Sequence, residues 1–131
     1  MTTETMTIRE MCEAFDVTPR TLRFYEAKEL LFPKREGQKR LFTRRDRARL
    51  TLIQRGKRFG FPLEEIRQIL DLYELESERA QLIETRSAFK RRRIELDEQI
   101  RALEAVRSEL DEQIEWVNTQ IDGREESVNV A

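Results

Sequence analysis

Arg20, Thr21 and Arg23 lie within four positions of one another in VTPRTLRFYE, residues 17–26, and an aromatic pair, Phe24 and Tyr25, follows them. A guanidinium is a planar fork of donors that matches guanine edges or phosphate oxygens two bonds at a time. Thr18-Pro19 reads as a helix start, with a threonine cap and proline at the first helical position. Arg20, Thr21 and Arg23 then project near that helix's N-terminus, where free N–H groups and partial positive charge favour anions. The chemistry these residues offer is recognition of nucleic acid. The competing reading is an amphipathic helix with a solvated outer face. Tyr25 stays open between two roles, a hydroxyl reaching a phosphate and a half-buried core ring. Phe24 has no polar handle and is expected to pack, and Leu22 to face the preceding helix.

A second cationic group follows. Lys34, Arg35, Lys39 and Arg40 flank the turn signal Glu36-Gly37-Gln38, with short extended pieces on either side. Four cations on a small hairpin suit a wing gripping a phosphate backbone. The net charge of −1 conceals this concentration. Residues 1–73 hold 16 Lys/Arg and 11 Asp/Glu, whereas residues 74–131 hold 9 and 15; residues 34–58 alone hold 11 and 2. A near-neutral total therefore says nothing against an anionic partner.

Other chemistries lack their residues. Histidine is absent, and no carboxylate pair, nucleophile–base set or Gly-rich phosphate loop stands out, so no enzyme is expected. The single cysteine, Cys12, rules out an intrachain disulfide and argues against a soft-metal site or iron–sulfur cluster within one chain. It reads as small apolar packing. No cofactor is expected. No apolar run approaches the ~20 residues of a membrane span, and a signal-peptide core is missing. A soluble, cytoplasmic protein is expected.

The elements that must position the cations have clear start signals. Thr7 and Glu10 fit a capping box opening a helix that buries Ile8, Met11, Cys12 and Phe15 and stops near Asp16. About three residues separate it from the helix at Pro19, the profile of a helix-turn-helix, whose second helix enters the major groove. Thr43, with Asp46 three residues on, caps a third helix. Leu50, Leu52 and Ile53 pack in it, Arg44, Arg45, Arg47, Arg49, Arg55, Lys57 and Arg58 supply charge, and Gly56 and Gly60 loosen its end. Pro62 opens a fourth helix with Leu63, Ile66, Ile69, Leu70 and Tyr73 as one stripe, and with Glu64 and Glu65 in its first turn.

From Arg79 to Ile121 there is neither Gly nor Pro. Leu82, Phe89, Leu96, Leu103, Leu110 and Val117 recur every seven residues, and Leu75 extends the row backward. With these as d positions, Ile100, Ile114 and Ile121 fall at a, while Arg86, Arg93 and Arg107 interrupt the same row. A lone helix of this length would run about 65 Å and needs a partner. A second copy gives a twofold homodimer, with Phe89, Leu96, Ile100, Leu103, Leu110, Ile114, Val117 and Ile121 at the contact. Lys90-Arg91-Arg92-Arg93 reads as a solvated face, and Trp116 is expected against the partner's head. The expected layout is a DNA-binding head over 1–73, a linker over 74–78, a long helix over 79–122 and a disordered tail over 123–131.

In TIREMCEAFDVTPRTLRFYEAKELL, KREGQKRLF and RGKRFGFPLEEIRQIL the chain resembles the MerR family of transcriptional regulators, over roughly residues 6–73. The family often has two tyrosines where Phe24-Tyr25 stand, commonly has Asn-Gly-Tyr-Arg-x-Tyr where this wing reads Gly37-Gln38-Lys39-Arg40-Leu41-Phe42, and often a serine where Pro62 stands. At Phe42 the hydroxyl usual there, and one possible contact, are missing. The resemblance implies a mainly α fold: a winged helix-turn-helix head of four helices and a small β-hairpin, then a long helix paired antiparallel, an orientation the residues themselves leave open. It implies a homodimer on a pseudo-palindromic promoter site, acting by DNA distortion on RNA polymerase. Carried over by position, Thr18, Arg20, Thr21 and Arg23 meet the groove and nearby phosphates, Tyr25 the backbone, and Arg35, Lys39 and Arg40 form the wing contact. Metal-sensing members use cysteines after the long helix, which this chain lacks. Its layout is similar to short-form regulators of branched-chain amino acid or acyl-CoA catabolism, and a small-molecule effector stays unassigned. The alternatives are an architectural DNA-binder of the excisionase kind, against which the heptad row argues, and a repressor without promoter distortion.

Overall fold

The capping box at Thr7 forms as expected: Thr7 N–H donates to Glu10 Oε1 at 2.8 Å and Glu10 N–H to Thr7 Oγ1 at 3.2 Å. It opens α1 (Ile8–Phe15) directly after a two-residue strand, β1 (Met6–Thr7). Asp16 ends α1 in the left-handed region at φ 55°, which short polar side chains tolerate. The next helix, α2 (Pro19–Ala27), starts behind the Thr18 cap. The computed structural model describes residues 4–130, with side chains described through Glu125.

The wing strands are β2 (Lys34–Glu36) and β3 (Lys39–Phe42), joined by a turn with Gly37 at φ 62°. That positive φ is the reason glycine stands there. The hairpin is not isolated: β3 also pairs antiparallel with β1, giving the sheet order β1-β3-β2, with Met6 opposite Phe42 and Arg35 opposite Arg40. Three strands explain how so short a hairpin holds its shape. They also bury Phe42 completely, so the position is core whether or not a hydroxyl is present.

Thr43 and Asp46 form a second capping box and open α3 (Arg44–Phe59), which Gly60 closes at φ 90°. Then come α4 (Leu63–Leu75) and α5 (Glu78–Val130). The head's core comprises Met11, Leu22, Leu30, Leu31, Phe42, Leu50, Ile53, Ile66, Ile69 and Leu70. Ile8, Cys12, Phe15, Leu52 and Leu63 are half-buried, and Tyr73, near the end of its stripe, is 50% exposed.

Gly56 does not loosen the end of α3. It lies inside the helix, and a Cβ there would stand 2.7 Å from Ile66 Cδ1 and 2.8 Å from Cγ1. Glycine lets α3 and α4 approach. Gly56→Val should therefore lower the head's stability by about 1–3 kcal/mol, the usual cost of overpacking. Chemical denaturation followed by circular dichroism measures it, and an unchanged midpoint would contradict the close approach.

Only Glu76 and Ser77 separate α4 from α5, so the expected linker over 74–78 shrinks to two residues and Leu75 belongs to α4. Ser77 Oγ accepts from Ala80 N–H at 3.0 Å and caps α5. Gln81 Nε2 donates to the carbonyls of Ile69 and Leu70 at 3.3 and 3.2 Å. At the other end α5 passes through Gly123, where a tail was expected, and continues to Val130. One interior glycine costs about 1 kcal/mol relative to alanine, which does not break a long helix. Ala131 lies outside the described residues. The chain divides into two compact units, with the boundary in sequence between Arg86 and Ser87.

Candidate nucleic-acid interface

At 100° per residue, α2 has room for one buried stripe. Leu22 and Tyr25, three apart, take it, at 0% and 8% exposure. Arg20 and Phe24, four apart, then share the opposite face. Arg20 and Arg23 are exposed, and neither has an ion-pair partner among the described residues. Phe24 is 45% exposed rather than packed, with the Lys28 ammonium 5.7 Å from its ring centroid. Tyr25 is the core ring of its two readings: burial pushes its phenol pKa upward, and the ring lies 5.8 Å from Phe24 at 54°. Thr18 and Thr21 engage each other at the start of α2. Thr18 Oγ1 accepts from Thr21 N–H at 3.1 Å, and the two hydroxyls are 2.9 Å apart.

The wing arginines are not free. Glu26, in the last turn of α2, puts Oε2 3.3 Å from Arg35 Nη2 and Oε1 2.5 Å from Arg40 Nε. Arg40 is half-buried, whereas Lys34 and Lys39 are exposed. α2 and the wing thus share a carboxylate that the sequence reading missed. A signal was available: a C-terminal last turn disfavours acids, so Glu26 is out of place there unless paired.

A second missed group fixes the loop between α2 and β2. Asp46 Oδ1 accepts from Phe32 N–H at 2.8 Å, and Arg49 Nε donates to the Leu30 carbonyl at 2.7 Å. Arg49 is 5% exposed, not one of a solvated run of charges. Burial depresses its pKa, Arg45 adds to the effect, and Asp71, whose Oδ1 is 3.7 Å from Nη2, opposes it. The guanidinium also lies 5.1 Å from the Phe32 ring centroid.

Along α5, Leu96, Ile100, Leu103, Leu110, Ile114, Val117 and Ile121 are all exposed in the single chain, Leu103 at 69%. Phe89 is half-buried. Val106, beside the arginine at 107, is also exposed and lies three residues from Leu103, widening the apolar row. Trp116 is exposed as well. Among the described residues there is no cluster of three metal-ligating side chains, and no helix is long and apolar enough to cross a membrane.

Comparison with known proteins agrees with this geometry. Residues 6–73 match the family described as MerR HTH family regulatory protein, and residues 47–113 match that described as MerR, DNA binding. The HTH-type transcriptional regulator ZntR of Escherichia coli is 37% identical over 67 residues, 50% of this chain and 48% of that protein. The chain thus matches about half the length of that relative. The HTH-type transcriptional regulator HmrR of Rhizobium leguminosarum is 35% identical over 97 residues, 73% of this chain and 74% of that one. Among solved structures, a MerR-family transcriptional regulator from Bacillus cereus superposes with a TM-score of 0.60 at 34% identity, covering 82% of this chain and 78% of its own. HiNmlR, a MerR family regulator lacking the sensor domain and bound to promoter DNA, superposes at 0.59 with 27% identity, covering 76% of each chain.

Proposed function

The chain belongs to the MerR family, and from that premise we propose that it is a sequence-specific DNA-binding transcriptional regulator that grips a pseudo-palindromic promoter site as a homodimer. The observation that carries this is the exposed Arg20–Arg23 face of α2, unpaired among the described residues, with the cationic wing tied to the same helix through Glu26. A solved relative with this fold is bound to promoter DNA. Arg20 and Arg23 supply forks for base edges or phosphates, Thr18 and Thr21 hold the helix N-terminus toward the backbone, and Lys39 adds a wing phosphate contact. Arg35 and Arg40 reach phosphate from their place beside Glu26. The Tyr25 ring, buried in the core, holds α2 against the rest of the head.

The apolar row of α5 is the dimer contact. Packing it against a second copy removes exposed leucine and isoleucine side chains from water, each worth about 1.5–3 kcal/mol. Two heads on one dimer read two half-sites, and distortion of the DNA between them controls engagement by RNA polymerase. The head over 1–73 and the long helix after it then have separate tasks, binding and pairing.

Arg23→Ala should weaken binding to a duplex selected by the wild-type protein from a randomised pool by about 1–3 kcal/mol. Wild-type affinity should also fall steeply with salt, with a slope of about −0.9 per phosphate neutralised. Fluorescence anisotropy at several salt concentrations measures both. Full affinity in the variant would contradict the placement of α2 in the groove. An architectural binder of the excisionase kind would lack a long dimerisation helix, and the row on α5 argues against that reading.

A further inference from the structure

Glu26 stands at an unfavourable helix end beside two cations. It lies in the last turn of α2, where the helix dipole disfavours an acid. Its two carboxylate oxygens face two guanidiniums, Arg35 on β2 and Arg40 on β3. Those arginines are partners in the β2–β3 register, so like charges stand directly opposite each other, an arrangement that destabilises a ladder on its own. Pairing the carboxylate with the two guanidiniums offsets both problems. The Glu26 side chain keeps 23% of its surface exposed, so solvent and an incoming phosphate reach the same cluster.

We propose that Glu26 is a specificity-determining residue, an internal carboxylate that holds the wing's paired arginines back from indiscriminate phosphate binding. The inference rests on the DNA-binding reading above. Non-specific attraction to duplex DNA depends on the count of available cations. With Glu26 in place, Arg35 and Arg40 together present one net positive charge instead of two. On a random duplex nothing repays the exchange of Glu26 for phosphate. On a duplex that α2 reads, base contacts fix the register and bring a phosphate to the wing, and the exchange is repaid. The carboxylate therefore lowers binding everywhere but lowers it least at the correct site.

The test uses the full chain and two labelled probes, a 30-base-pair duplex of random sequence and the duplex that wild type selects from a randomised pool. Glu26→Gln keeps the side chain's shape and removes its charge. It should tighten the random duplex several-fold and steepen the plot of log affinity against log salt by about 0.9, the value for one more phosphate neutralised. The selected duplex should gain less, so discrimination should fall at least threefold. A residue that merely braced the wing would weaken both probes and leave the slope alone. That outcome, or unchanged random-duplex affinity and slope, overturns the proposal. If Glu26→Gln does not fold, Glu26→Ala, which removes the same charge, decides: the random-duplex slope should steepen by about 0.9, and an unchanged slope would refute the idea. Binding of neither duplex by wild type would instead sink the DNA-binding reading itself.

Discussion

On the proposed dimer, Leu103→Asp should leave the protein monomeric at micromolar concentration. Leu103 sits at the centre of the apolar row and is 69% exposed in the single chain, so its side chain is available to the proposed partner helix. In the dimer the substitution occurs twice. Each copy forgoes about 1.5–3 kcal/mol of leucine burial, and each places a carboxylate where it loses water without gaining a partner, costing about 1–3 kcal/mol more. Over both copies the sum is about 5–12 kcal/mol, more than about 10³-fold in the dimer dissociation constant even at its lower end. Sedimentation velocity reads the outcome. Ala105→Asp, two residues away on the f face of the heptad, should leave the dimer intact and separates loss of the row from loss of helix. Monomeric Leu103→Asp should bind a half-site and lose most of its affinity for the full site, because two tethered heads no longer act together. An undiminished dimer would refute the contact.

That prediction was legible in the sequence because heptads depend only on spacing. The helix starts were equally legible: Thr7 with Glu10, and Thr43 with Asp46, complete their hydrogen bonds within four residues and ask nothing of the rest of the chain. Features that depend on distant partners were not. Phe24 and Phe42 are both apolar, yet one is exposed and the other buried. The difference comes from which α2 face Leu22 and Tyr25 occupy, and from the pairing of β3 with β1, more than thirty residues away in sequence. Gly56 looked like a helix breaker because its reason for being small, Ile66, lies on another helix.

The candidate site divides in the same way. Residue type and a helix start were enough to nominate Arg20 and Arg23, and the structure leaves both exposed. The wing arginines were nominated on charge alone, and charge alone does not reveal that Glu26 already engages them. Arg49 was hidden most deeply. In a stretch with Arg44, Arg45 and Arg47 it reads as one more surface cation, and only the return of the 28–33 loop onto α3 distinguishes it.

Arg49→Ala should therefore destabilise the head by about 2–4 kcal/mol, a large share of a small domain's stability. The Nε–Leu30 bond at 2.7 Å is charge-assisted and buried, a kind worth about 1.5–3 kcal/mol. Truncation also takes the Arg49 guanidinium away from the Phe32 ring, leaving Arg45 there, and opens a gap beneath the loop. The ion pair with Asp71 adds little, since the atoms are 3.7 Å apart and the Asp71 side chain is 44% exposed. Urea denaturation of Arg49→Ala beside Arg49→Met separates the terms. Methionine refills the space and removes a costly buried charge, so it should recover part of the loss, but it cannot donate to the Leu30 carbonyl and should stay below wild type. The loop that Arg49 holds connects α2 to the wing, so Arg49→Met should also weaken binding of the selected duplex while leaving α5 and the proposed dimer unchanged. A stability equal to wild type in Arg49→Ala would mean that the loop is held by Asp46 and Phe32 alone.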